Sequence, residues 1–211
     1  MTKKIQFYSE KTKKHYLLFS TKTIPTLKIS GVAMHRFVRI DPLTDTLLKI
    51  KAANPRGIVL DCCAGLGYTA IYSARKKEVK KVFTFEKDEN VAELLNINEH
   101  SKEIFLNKKI EFKIKDISDA IKEFDREFFD CIIHDPPTFK MAPDLYSSNF
   151  FKELYRVLKK KGTLWVYCPK PGKLRGRDKV FLNSIKRKLV NDAGFRFVRY
   201  DEASCGFICR K

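Results

Sequence analysis

From residue 57 onward the chain alternates short, nearly unbroken apolar runs with amphipathic stretches. The runs are 57–63 (GIVLDCC), 81–86 (KVFTFE), 109–116 (KIEFKIKD), 128–135 (FFDCIIHD) and 163–168 (TLWVYC). Strands that read apolar at successive positions are covered on both faces. Between them the period changes to that of a helix. Val91, Leu94 and Leu95 share one face of a segment from Glu89 to about His100, and Phe151, Leu154, Tyr155 and Leu158 recur at i, i+3, i+4, i+7. Lys159, Lys160 and Lys161 would close that second helix favourably for its dipole, with Gly162 in the left-handed position just beyond. A further helix is expected over about 179–193, ended by Gly194. This alternation predicts an α/β fold with a doubly wound, mostly parallel sheet. The last two runs, 195–202 (FRFVRYDE) and 205–211 (CGFICRK), are separated only by Ala203 and Ser204. So short a link permits a hairpin and forbids a parallel crossover, so the sheet is expected to end in an antiparallel strand.

Ahead of the first run, Asp41 and Pro42 read as N-cap and first residue of a helix stopped at Asn54-Pro55, with Leu43, Leu47 and Ile50 on its buried side. Residues 1–40 predict two or three short strands, at 5–9, 15–20 and 26–34, forming a small β extension on a main domain over 41–211. With 211 residues and 44% apolar content, the chain buries roughly 70% of its unfolded surface without staples. No run approaches the roughly 18 to 20 apolar residues that span a bilayer, and the first residues lack the apolar stretch of a signal peptide, so a cytoplasmic protein is expected. Six cysteines, four of them within strand-like runs, fit buried, reduced thiols, and no second Cys or His pair accompanies Cys205 and Cys209 at zinc-ligand spacing. No metal is expected. Net charge is +18, and it is uneven. Residues 1–40 hold nine basic and one acidic side chain, residues 41–150 hold 17 and 19, and residues 151–211 hold 17 and 5. Basic ends attract polyanions, which makes nucleic acid an expected partner, against the blander reading of a lysine-rich surface kept for solubility.

The chemistry is written at the strand ends. The first run leads into Asp61-Cys62-Cys63-Ala64-Gly65-Leu66-Gly67-Tyr68-Thr69-Ala70 and then a helix. Two glycines there allow a sharp turn and close approach of a ligand, where open α/β sheets bind nucleotides. Gly65 and Gly67 with Ala70 satisfy a dinucleotide fingerprint, whereas Asp61 four residues before Gly65 suits an S-adenosylmethionine loop. The motif alone leaves both open. Glu86, ending the second run 19 residues past Gly67, is placed to accept hydrogen bonds from ribose hydroxyls in either case. Asp116 and Ile117, ending the third, suit an adenine amino group and ring face, or else Asp116 caps the helix that follows. The fourth run ends in Asp135-Pro136-Pro137-Thr138-Phe139. Two prolines fix the backbone and remove two N–H donors, leaving carbonyls and the Asp135 carboxylate as acceptors for a target amine, with Phe139 available to stack on a flat base.

With these four motifs in order, residues 41–211 resemble the class I S-adenosylmethionine-dependent methyltransferases, and DPPTF is similar to the fourth motif of amino-methyltransferases that include enzymes of ribosomal RNA guanine. The whole chain also resembles predicted archaeal methyltransferases sometimes labelled spermidine-synthase-like. The resemblance implies a Rossmann-like fold and S-adenosylmethionine held at Asp61, Gly65, Gly67, Glu86, Asp116 and Ile117. It also implies methyl transfer at Asp135, Pro136, Pro137 and Thr138. Cys63 stands where the family has its first loop glycine, and Thr138 where it usually has an aromatic residue. The loop after the fifth run carries Lys170, Lys173, Arg175 and Arg177, which would grip RNA phosphates, and His35 beside Met34 would line the cofactor mouth. The expected activity is methylation of an amino nitrogen on an RNA base. Its rivals are an aminopropyltransferase, whose polycationic acceptor calls for extra carboxylates near the fourth motif, a methyltransferase of protein or small molecules, a nicotinamide dehydrogenase, which leaves Asp135-Pro136-Pro137 unexplained, and a non-catalytic RNA-binding protein.

Overall fold

A computed structural model describes residues 4–169 and 177–211. Four antiparallel strands open the chain in sequential order: β1 (Lys4–Ser9), β2 (Lys14–Phe19), β3 (Thr26–Ile29) and β4 (Val32–Ala33). The segment expected as one strand at 26–34 is therefore a hairpin, because Ser30 and Gly31 turn the backbone at φ +46° and +84°. The main sheet has seven strands, β5 (Gly57–Asp61), β6 (Val79–Glu86), β7 (Ile110–Ile114), β8 (Phe129–His134), β9 (Leu158–Tyr167), β10 (Arg196–Asp201) and β11 (Gly206–Arg210), in the order β10-β11-β9-β8-β5-β6-β7. β7, β6, β5, β8 and β9 run parallel, and β11 pairs antiparallel with both β9 and β10. This is the Rossmann-like methyltransferase architecture. Strand order reverses between β5 and β8, and in such sheets the crevice beyond the carboxyl ends at that point receives the ligand.

The helices are α1 (Pro42–Ala53), α2 (Tyr68–Ala74), α3 (Glu89–Ile97), α4 (Glu103–Leu106), α5 (Ile117–Ala120), α6 (Ser148–Val157) and α7 (Arg177–Arg187), the last running into a π-helical turn and Gly194 at φ +93°. They cover both sheet faces, which explains the unbroken apolar runs. Val59, Val82, Cys131, Ile133 and Trp165 pack with Ile50 and Ala53 of α1 and Ile71 of α2. Their neighbours Leu60, Ile132 and Leu164 point the other way, to Phe151 and Leu154 of α6. The N-terminal sheet buries Tyr16, Leu18, Leu27 and Ile29 against Leu66, Tyr68, Val91 and Leu94. Tyr16 donates to Asp88 Oδ2 at 2.6 Å and Tyr68 to the Pro25 carbonyl at 2.9 Å, tying that sheet to the loops after β5 and β6.

Two expectations about helices are corrected. α6 stops at Val157, and Lys159, Lys160 and Lys161 already belong to β9. Arg156 lies in the last turn of α6, and Lys211 Nζ donates to the carbonyls of Tyr155 and Leu158 at 2.8 Å each. Lys161, not Gly162, takes the left-handed conformation, at φ +64°. Gly162 is there for space, since a Cβ would sit 2.7 Å from Leu158 Cδ1 and 2.8 Å from the Lys159 carbonyl oxygen. On α1, Leu47 is 45% exposed, and the buried face carries Asp45, Thr46, Lys49, Ile50 and Ala53. A charged pair points inward on that helix.

Candidate active site

Beyond β5 the chain turns through Gly65 at φ +54° and Gly67 at φ +79°, and Gly67 caps α2. The two glycines serve different ends. A Cβ on Gly65 would meet nothing within 4 Å, and Gly65 lines two adjoining cavities at the strand ends. A Cβ on Gly67 would lie 2.7 Å from Ile104 Cδ1, so this glycine lets α2 pack on α4 and lines neither cavity. Asp61 lines neither as well. It is fully buried, accepting from Thr69 Oγ1 at 2.9 Å and Thr84 Oγ1 at 2.8 Å, so it knits β5 to α2 and β6. Burial pushes its carboxyl up to about 7, partly offset by the two hydroxyls. Cys63, in the walls of both cavities, is a thiol that burial pushes well up.

Glu86, ending β6, borders both cavities. Its Oε2 accepts from the Gly65 N–H at 3.0 Å and its Oε1 from the Asp88 N–H at 2.9 Å, and burial pushes the carboxyl up to about 7. Asp116 and Ile117 line the second cavity. Asp116 also performs the capping role, accepting from the Ser118 N–H at 2.8 Å, and pairs with Lys87 at 3.3 Å.

Asp135, Pro136, Pro137 and Thr138 line the first cavity together with Gly65 and Glu86. Asp135 is not alone there. Its Oδ2 accepts from Lys49 Nζ at 2.6 Å, and the same ammonium lies 3.1 Å from Asp45 Oδ2. Asp45 in turn pairs with Arg36 Nε at 2.5 Å, and Arg36 also donates to the Ala203 carbonyl at 2.8 Å and to Cys205 Sγ at 3.1 Å. The Lys49 side chain is 2% exposed, with Nζ 5.3 Å from the Tyr167 ring centre and 5.9 Å from that of Trp165. The two carboxylates hold its charge above the ordinary lysine range against the penalty of burial, while burial pushes the Asp135 carboxyl up against the pull of Lys49. The spacing Asp45 to Lys49, i to i+4, puts both on the face of α1 that meets the strand ends. Tyr167, pushed up to about 12 by burial, lines the same cavity and stays protonated.

His35 and Met34 also line the first cavity. His35 Nδ1 lies 3.0 Å from Thr26 Oγ1 and its ring 5.2 Å from that of Tyr68, and burial together with Lys49 pushes it down to about 3, a neutral imidazole. Phe139 departs from expectation. It is 43% exposed, packs edge-on against Tyr146 at 5.9 Å and Phe181 at 5.6 Å, and lines neither cavity. Lys170, Lys173 and Arg175 lie outside the described residues, and Arg177 is described only as the first residue of α7. Sequence reasoning missed Arg36, Asp45, Lys49 and Tyr167. The available signal was the acid–base pair at i, i+4, which reads equally as a solvated face. Among the described residues no group of three or more His, Cys, Asp or Glu is arranged to hold a metal ion, all six cysteines are free, and no helix is long and apolar enough to cross a membrane.

Residues 28–188 match the model of the methyltransferase small domain family. Two uncharacterized proteins of Methanocaldococcus jannaschii are similar, one 43% identical over 190 residues and the other 30% over 156, covering 89% and 64% of this chain. The chain spans 64% and 41% of the length of those curated relatives. Among solved structures, spermidine synthase from Thermotoga maritima superposes with a TM-score of 0.70 at 16% identity, over 97% of this chain and 70% of that one. A spermidine synthase in complex with the transition state analogue AdoDATO gives 0.73 at 15%, over 97% and 71%. At such identity the likeness is one of fold. The extent of the family match, across both cavities and the motifs at four strand ends, assigns the chain to the methyltransferase small domain family of class I S-adenosylmethionine-dependent methyltransferases, whose cofactor is S-adenosylmethionine.

Proposed function

We propose that this chain methylates an amino nitrogen of an RNA base. The observation that carries the reading is that Asp135, Pro136, Pro137 and Thr138 line the same cavity as Gly65 and Glu86. The cavity fits the family's cofactor: Gly65 leaves its backbone bare to a ligand, Glu86 ends β6 as a ribose-hydroxyl acceptor should, and Ile117 offers an apolar face beside Asp116. When bound, S-adenosylmethionine supplies a methyl group that passes to the nitrogen lone pair as the C–S bond breaks and its electrons stay on sulfur. Gly65 and Glu86 would hold the nucleoside end. Asp135 would accept the amine N–H, balancing positive charge on nitrogen until the proton leaves to water. Proximity and exclusion of water account for the acceleration without a covalent intermediate.

The partner rests on charge. The excess at both ends of the chain supports a polyanionic substrate, as does Lys14 in the lining of the second cavity. Changing Lys173, Arg175 and Arg177 together to Ala is expected to weaken RNA binding and lower its log-log salt slope by up to about three, with S-adenosylmethionine affinity unchanged. Filter binding across a salt series checks this, and an unchanged slope removes these three residues from the RNA track. The function itself is tested by mass spectrometry of nucleosides and proteins from cells with and without this chain. One methylated nucleoside missing from RNA supports the reading, and a methyl group missing only from protein overturns it.

A further inference from the structure

Asp135 has two oxygens, and one is already engaged by a buried cation. Lys49 Nζ lies 2.6 Å from Oδ2, and among the described residues no donor reaches Oδ1. Counted as a unit, Arg36, Lys49, Asp45 and Asp135 carry two positive and two negative charges, so the acceptor end of the cavity is electrically balanced before any substrate arrives. The aromatic ring at this end of the cavity that would otherwise receive a cation is likewise engaged, because Tyr167 lies 5.3 Å from Lys49 Nζ.

An aliphatic amine is an ammonium at neutral pH, whereas the exocyclic amine of a base or an amide N–H is uncharged. A carboxylate with no internal partner draws in the ammonium. Here a second ammonium at Asp135 would face Lys49 across one carboxylate, with like-charge repulsion in a site of low dielectric. We infer that Lys49 is a built-in ammonium that fills the place of a charged acceptor at Asp135, so that the site takes an uncharged N–H group and excludes aliphatic polyamines. The inference deepens the proposed function and rests on Asp135 facing the acceptor. It separates this site chemically from the spermidine synthases whose fold it shares, since a polyamine site needs net negative charge where the four groups around Asp135 balance one another.

Putrescine titrated into the S-adenosylmethionine-loaded protein tests it by calorimetry. The wild type is expected to show no saturable binding up to millimolar putrescine. Lys49→Met leaves Asp135 without its cation and is expected to bind putrescine at least about tenfold more tightly than the wild type. Lys49→Met with Asp135→Asn removes both charges and is expected to lose that gain. S-adenosylmethionine affinity, read on the same samples, reports that each variant is folded, and Lys49→Gln, which can still donate to Asp135, replaces Lys49→Met if the latter does not fold. Saturable putrescine binding by the wild type overturns the inference, as does a folded Lys49→Met that gains none. Wild-type protein that methylates RNA yet binds putrescine overturns this inference alone, and one that excludes putrescine but leaves RNA unmodified overturns the RNA assignment alone.

Discussion

Asp61 and Asp135 stand at the carboxyl ends of neighbouring strands, β5 and β8, and differ in what surrounds them. Asp61 is fully buried and held by two neutral hydroxyls, Thr69 and Thr84, with no cation in contact among the described residues. Asp135 borders the cavity and is held by the Lys49 ammonium. Hydroxyls satisfy hydrogen bonds but leave the charge uncompensated, so burial pushes Asp61 up to about 7. At Asp135 burial pushes the carboxyl up as well, but a buried ammonium in direct contact opposes that rise, which gives the carboxylate a charged partner at the cavity wall. Asp61 is therefore part of the architecture and Asp135 part of the cavity wall, although both open a motif at a strand end.

That division is broken most sharply at Asp135. Asp135→Ala is expected to lower kcat for RNA methylation by about 100-fold or more, with S-adenosylmethionine affinity little changed, and Asp135→Asn retains part of the activity through its amide oxygen. Stopped-time assays with a labelled methyl group check the rate, and calorimetry the affinity. Glu86 gives an intermediate effect. Glu86→Ala is expected to cost about 1 to 3 kcal/mol in S-adenosylmethionine binding. Ribose hydroxyls favour the ionised carboxylate, and Glu86 is held at about 7, so affinity rises with pH through that value. The change from pH 6 to 8 is expected to be about tenfold and to vanish in Glu86→Gln, as read by calorimetry at each pH.

Asp61 acts on stability instead. Between about pH 4 and 7 the unfolded chain has released this proton while the folded chain keeps it, so stability falls as pH rises, by up to about 1.4 kcal/mol per unit. Asp61→Asn is expected to flatten that slope, measured as the urea midpoint at pH 5 and pH 8, and to leave S-adenosylmethionine affinity nearly intact. The smallest effect is at Gly67. Gly67→Ala, strained at φ +79° and crowding Ile104, is expected to cost about 1 to 2 kcal/mol of stability with little change in cofactor binding, checked by thermal unfolding and calorimetry.

The strands, their order along the chain and the closing hairpin were legible because a sheet covered on both faces writes itself as continuous apolar runs. Glu86, Gly65 and Asp135 were legible as cavity-lining residues because the crevice of this fold opens at its strand ends. Lys49 was not, because α1 carries leucines at a helical spacing that suggests an apolar buried face, and nothing local reveals that the helix turns Asp45 and Lys49 inward. Asp135, the partner of Lys49, is 86 residues away in sequence. Asp61 and Gly67 were legible as a motif but not as packing residues, since the contacts that decide their role come from Thr84 and Ile104 on other elements. Phe139 stands next to the motif, yet its ring faces Phe181 of α7, a contact that sequence proximity could not anticipate.

The central claim is that the two cavities and Asp135 form one methyl-transfer site for an uncharged nitrogen on RNA. Its most direct measurement is transfer of a labelled methyl group from S-adenosylmethionine to RNA taken from cells lacking this chain, with wild type and Asp135→Ala run side by side and the RNA digested to nucleosides. The account predicts label in one N-methylated nucleoside with wild type and at least about 100-fold slower labelling with Asp135→Ala. Label confined to protein, or equal labelling by the two proteins, would contradict it.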